Sequence, residues 1–225
     1  DMGRWDYSAV TQLAETPSYP TMRPASRAFS LPNLLTYGRV IAVPALVLSY
    51  FLEGYIGRWL SLAIFLAACI TDFLDGYLAR VWQQQSAIGR LLDPIADKLL
   101  VATSLILLAS DGTISNFSLI AAIIILTREI LISGLREFLA ELRVSVPVTQ
   151  LAKWKTPMQI VAIGFLLHGP AGDRVLPFSG GPVSGIEGYV TFIGLLLLWI
   201  SALVTIYTGY DYFRAGLKHL LAEDQ

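Results

Sequence analysis

Six runs of apolar residues, each near the length that crosses a lipid bilayer, restrict what this chain can fold into. They extend from about Leu34 to Leu52, Trp59 to Val81, Leu91 to Ser110, Phe117 to Leu139, Thr156 to His168 and Val190 to Tyr212. A span needs roughly 20 residues. The fifth run reaches that length once its basic start from Leu151 is included. The runs are continuous rather than alternating, which selects helices over a barrel. With 55% hydrophobic and only 15% charged residues, 225 residues hold more apolar side chain than a soluble core of that size would bury. The expectation is an all-α, polytopic membrane protein with six transmembrane helices. A formal net charge of -1 gives no ground for nucleic-acid binding. A single cysteine, Cys69, excludes a disulfide framework within the chain and reads as a small buried hydrophobe.

The loop charges predict orientation. The segments 53–58, 111–116 and 169–189 carry Arg58 and Arg174, and the other fourteen of the sixteen Lys and Arg fall on the opposite side. The positive-inside bias makes that opposite side cytoplasmic, with both termini there. The protein is therefore expected in the cytoplasmic (inner) membrane. Residues 1–29 read as a polar extension, with a short amphipathic helix over WDYSAVTQLAE or a start at Met22. They lack the apolar stretch of a secretory signal. The helical domain spans 30–215, and 216–225 form a C-terminal cytoplasmic tail. Pro44 lies inside the first run, where a kink is expected. Segment 169–188, rich in Gly and Pro, reads as an irregular outer loop.

Against this background the stretch TDFLDGYLARVWQQQSAIGRLLDPIADK, residues 71–98, is anomalous. Asp72 and Asp75 are three apart and share a helix face; Asp93 and Asp97 are four apart and share another. Pro94 suits the first turn of the helix that follows. The connecting loop is short, so the two helices are expected to be antiparallel neighbours whose four carboxylates converge. Such carboxylates repel one another and are costly near hydrocarbon. A divalent cation relieves both problems. An all-oxygen set without Cys or His suits Mg²⁺, Mn²⁺ or Ca²⁺. Two ions on four aspartates would serve phosphoryl chemistry. Gly76 and Ala79 leave room for close approach, and Arg80 is a bidentate partner for phosphate. Singly, each residue also has a structural reading, as a cap or a packing contact.

The pattern Asp72-x2-Asp75-Gly76-x2-Ala79-Arg80-x8-Gly89-x3-Asp93-x3-Asp97 resembles the signature of the CDP-alcohol phosphatidyltransferase family at every fixed position. The resemblance implies a six-helix membrane enzyme, usually a homodimer, with a polar cavity facing the cytoplasm. It implies two divalent cations, Mg²⁺ or Mn²⁺, held by the four aspartates, with Asp97 also the general base. Gly76, Ala79, Arg80 and Gly89 would line the CDP-diacylglycerol pocket. Asn33, Thr36 and Arg39 match the family's N-terminal motif and would touch the nucleotide, although Asn33 is equally suited to capping the first helix.

Further segments, SLPNLLTYGR, TREILISGLREFLAEL and AKWKTPMQIVAI, resemble the phosphatidylglycerophosphate synthase branch of that family over about residues 30–165. This implies glycerol 3-phosphate as the acceptor and phosphatidylglycerophosphate and CMP as products. Arg128 lies inside the fourth apolar run, where an unpaired guanidinium is expensive. With Arg39, Arg136, Lys153 and Lys155 it would hold the acceptor phosphate. The bland reading of Arg136, Lys153 and Lys155 is as snorkelling anchors. Glu129 and Glu137 are candidate partners for these bases. Two alternatives stand beside this reading: the same chemistry with inositol phosphate, and a divalent-ion transporter using the same acids.

Overall fold

The structure, a computed structural model, describes residues 31–82, 87–142, 150–175 and 188–223. For residues 31–33, 75–82, 87–91, 150, 152, 153, 170, 174, 175 and 217–223 it describes the backbone only. The described residues form six helices: α1 Leu31–Tyr50, α2 Tyr55–Trp82, α3 Ala87–Ser110, α4 Ser118–Glu141, α5 Gln150–Val175 and α6 Tyr189–Glu223. Among the described residues there is no strand. Three stretches are long and apolar enough to cross a membrane: Tyr55–Leu74, Ser118–Glu141 and Tyr189–Gly216. Leu34–Tyr50 is a shorter apolar helix.

Helix α5 packs most extensively on α6, and α4 packs on α6 from another side. Helix α1 lies against both α2 and α3, while α2 also meets α5. Phe65, Leu105, Leu108, Ile163, Leu166 and Leu198 are fully buried where these helices meet. Outward-facing residues are just as apolar: Leu48, Ile56, Ile123 and Leu203 are exposed. Helices that are apolar all round are stable with such a surface only in a non-aqueous surrounding.

Several expectations are corrected. Among the described residues α2 and α3 make little contact; α1 stands against both, so Asp72 of α2 and Asp93 and Asp97 of α3 meet through a third helix. Pro94 is inside α3, not in its first turn, because the helix begins at Ala87. One helical hydrogen bond is lost there, a cost the surrounding helices must absorb. Residues 169–175, expected in an irregular loop, extend α5. The extension has a purpose. The buried Asp173 carboxylate accepts hydrogen bonds from the Val190 N–H at 2.6 Å and the Thr191 hydroxyl at 2.7 Å, capping α6. The tail from 216 is helical as far as Glu223. The expected loops over 83–86, 143–149 and 176–187, and the N-terminal extension, lie outside the described residues.

Polar side chains tie the first three helices together at one end. Arg58 of α2 pairs with Asp111, just beyond α3, and Tyr50 of α1 donates to the same carboxylate at 2.6 Å. Beside this tie, the hydroxyls of Ser49 and Ser61 meet at 2.9 Å in a buried contact between α1 and α2. Half-buried Cys69 packs at the edge of the core.

Gly188 precedes α6 with φ +87°, and a Cβ there would overlap the Asp173 carboxyl. Gly188→Ala is therefore expected to lose about 1–3 kcal/mol from backbone strain, with the cap disturbed as well. Gly134→Ala, where a Cβ meets nothing within 4 Å, should leave stability unchanged or raised. Thermal unfolding in detergent distinguishes the two; equal midpoints would contradict the cap.

Candidate active site

Arg39 lies near the middle of α1, and its side chain is only 3% exposed. Its guanidinium reaches acids on both neighbouring helices. It pairs with Asp72 of α2 and with Asp93 and Asp97 of α3, the last two at 2.9 and 2.6 Å. One turn earlier, the buried Thr36 hydroxyl donates to Asp93 at 2.6 Å. Three carboxylates thus share one planar cation whose fork of donors suits them. The acids remain a third to a half exposed, so the cluster opens to one side.

Asp97 also faces a second compartment. A cavity of about 420 Å³ has Asp97 and Lys98 of α3 on one wall, Arg128 and Arg136 of α4 on another, and Lys155 of α5 on a third. Lys155 is 2% exposed and pairs with Glu129. Arg128 donates to the Thr208 hydroxyl of α6 at 3.3 Å, while its buried Nε has no partner among the described residues. Gly209 permits this: a Cβ there would lie 3.0 Å from Arg128 Cγ. Arg136 is exposed and lies over the Tyr212 ring, 5.7 Å from its centroid. A guanidinium with donors to spare, beside an ammonium and a carboxylate, is built to receive a small anion that also carries a proton to give up.

The arrangement brings together Asp72, Asp93, Asp97, Thr36 and Arg39 in one cluster, and Asp97, Arg128, Arg136 and Lys155 in one cavity. Arg39, grouped from the sequence with the acceptor-phosphate residues, sits on the acids. The side chains of Asn33, Asp75, Gly76, Ala79, Arg80, Gly89 and Lys153 lie outside the described residues. Of the expected internal partners, Glu129 pairs with Lys155 and Glu137 lines the cavity. Sequence reasoning missed Thr208, Gly209 and Gln159. Nothing local marks Thr208 and Gly209, which meet Arg128 from 80 residues away. Gln159 was findable, since it follows Lys155 by one helical turn.

The donor set fits a hard divalent cation: all the candidate ligands are carboxylate oxygens, and three converge on one positive charge. With the guanidinium between them, no three acidic, His or Cys side chains among the described residues close on a common point where an ion could sit.

A family model described as CDP-alcohol phosphatidyltransferase matches residues 29–207. The chain is 42% identical over 190 residues to the CDP-diacylglycerol--glycerol-3-phosphate 3-phosphatidyltransferase of Rickettsia bellii, covering 84% of this chain and 97% of that protein. It is 37% identical over 219 aligned residues to the protein of the same name from Cereibacter sphaeroides, covering 87% and 99%. A third relative, CDP-diacylglycerol--glycerol-3-phosphate 3-phosphatidyltransferase 2 of Arabidopsis thaliana, is 38% identical over 210 residues, covering 88% and 84%.

Replacing Arg39 by Met leaves three carboxylates facing one another. Removing one partner of a fully buried pair costs about 3–5 kcal/mol. Partial exposure of the acids reduces the expected loss to about 1–2 kcal/mol. Thermal unfolding in EDTA should show it, with Arg39→Lys losing less. A midpoint unchanged in Arg39→Met would mean the guanidinium does not hold the cluster.

Proposed function

Because the chain belongs to the CDP-alcohol phosphatidyltransferase family, we propose that it moves the phosphatidyl group of CDP-diacylglycerol onto glycerol 3-phosphate. The products are phosphatidylglycerophosphate and CMP, as in phospholipid biosynthesis. The observation that carries this reading is the double position of Asp97, which stands in the acidic cluster and in the wall of the cationic cavity. Relatives named for this reaction match 84% and 87% of this chain.

The residues divide the work. Arg128 and Lys155, with Arg136 at the rim and Lys153 nearby in sequence, hold the acceptor's phosphate. Its free primary hydroxyl is thereby held at Asp97, which takes the proton. The freed oxygen attacks the phosphorus bonded to diacylglycerol; the bond from that phosphorus to the CMP oxygen breaks, and CMP leaves. Asp72, Asp75, Asp93 and Asp97 would hold two divalent cations, Mg²⁺ or Mn²⁺, which when bound neutralise charge on the diphosphate. Asn33, Thr36, Gly76, Ala79, Arg80 and Gly89 form the nucleotide side of the site. CDP-diacylglycerol enters laterally with its tails in lipid. All six helices span the cytoplasmic membrane, both termini and the site face the cytoplasm, and the working unit is a homodimer.

The deciding measurement is CMP release by purified protein from CDP-diacylglycerol with Mg²⁺ or Mn²⁺ and each acceptor. Glycerol 3-phosphate is expected to support turnover. Release with inositol phosphate alone would overturn the acceptor, and metal flux in proteoliposomes without CMP release would favour a transporter. Asp97→Asn should abolish turnover with the fold retained; normal activity would remove it as the base. Arg128→Ala should raise KM for glycerol 3-phosphate about 10- to 100-fold, from the loss of a charge-assisted hydrogen bond, and leave CDP-diacylglycerol binding near normal. Equal losses would make Arg128 structural.

A further inference from the structure

We propose that Gln159 binds the secondary hydroxyl of the acceptor and so selects a phosphorylated polyol over an acceptor with one hydroxyl. The inference rests on the acceptor reading above. Gln159 lines the same cavity as Asp97, Arg128 and Lys155, yet it is only 3% exposed. Its buried Oε1 has no hydrogen-bond partner among the described residues. Buried polar atoms without partners are rare in native proteins, so an orphan acceptor in a cavity wall points to a ligand that donates.

The neighbours narrow that ligand. Arg128, Arg136 and Lys155 can only donate, so they suit phosphate oxygens. Glu129 already accepts from Lys155. Asp97 is committed to the hydroxyl that reacts. Ser133, Thr156 and Glu137 also line the cavity, but among the described residues the Gln159 oxygen is its buried side-chain acceptor without a partner, one helical turn and roughly 6 Å along α5 from Lys155. It can accept from a hydroxyl without removing its proton. A second hydroxyl held there is oriented but left unreactive, which keeps attack on the primary oxygen. Gln159 is thus a specificity-determining residue that touches substrate but takes no part in proton transfer.

The test compares kcat/KM for CMP release with glycerol 3-phosphate and with 3-hydroxypropyl phosphate, which keeps the phosphate and primary hydroxyl and lacks the secondary one. Wild-type enzyme should prefer glycerol 3-phosphate at least tenfold, since a site that hydrogen-bonds a hydroxyl rejects the analogue lacking it. Gln159→Leu and Gln159→Met should bring that ratio within about threefold of unity, chiefly by weakening glycerol 3-phosphate. The ratio is independent of the fraction of enzyme folded. A wild-type enzyme with no preference overturns the role, as do variants that keep the wild-type ratio or folded variants that lose both acceptors. Where neither variant folds, the wild-type ratio decides. Wild-type protein inactive with both acceptors would overturn the acceptor assignment itself, and this inference with it.

Discussion

Three carboxylates on two helices cannot stand together in an apolar surrounding without positive charge between them. Here the Arg39 guanidinium supplies it, donating to Asp72, Asp93 and Asp97. Because Arg39 is carried by α1, that helix must lie against both α2 and α3, and the packing follows this demand. The same three helices are tied again near Tyr50, where Arg58 and the tyrosine share Asp111. Eleven residues of α1 separate the two polar ties, a rise of roughly 16 Å. Between them runs the apolar packing of Leu46 and Phe65 with the small contact of Ser49 and Ser61. The cluster is therefore fixed in depth as well as in composition.

The second half of the bundle completes the site. Helix α6 is anchored at its start by Asp173 of α5 and passes Arg128 of α4 at Gly209. Close approach there lets Thr208 satisfy one guanidinium donor while others remain available to the cavity. Lys155 is held by Glu129 across α4 and α5. The cavity thus has walls from two structural groups, and Asp97 is where they meet.

Much of this was legible from residue order. The paired spacings of Asp72 with Asp75 and Asp93 with Asp97 place acids on common faces, because helical periodicity is local. Arg128 stood out inside an apolar run because an unpaired guanidinium there is costly. Partnership across the bundle was harder to read. A short loop between α2 and α3 implied contact, yet among the described residues both pack chiefly on α1. Arg39 carries no local sign that it serves carboxylates rather than phosphate. Pro94 reads as a helix start by propensity, but the bundle tolerates it inside α3. Likewise, the Gly and Pro of 169–172 suggested a loop, whereas the Asp173 cap draws the helix onward. Partners fixed by tertiary contact, such as Thr208 for Arg128, leave no trace in spacing.

The charge inventory of the cavity has a consequence of its own. Among the described residues its lining holds four basic side chains, Lys98, Arg128, Arg136 and Lys155, against three acidic ones, Asp97, Glu129 and Glu137. The excess is a single positive charge, although the molecule it is proposed to receive is a dianion. Attraction then comes from where the charges stand at close range, and very little from a long-range field that would gather anions from solution. Such a compartment discriminates by fit and not by net charge. A compartment of this kind is expected to respond only weakly to ionic strength.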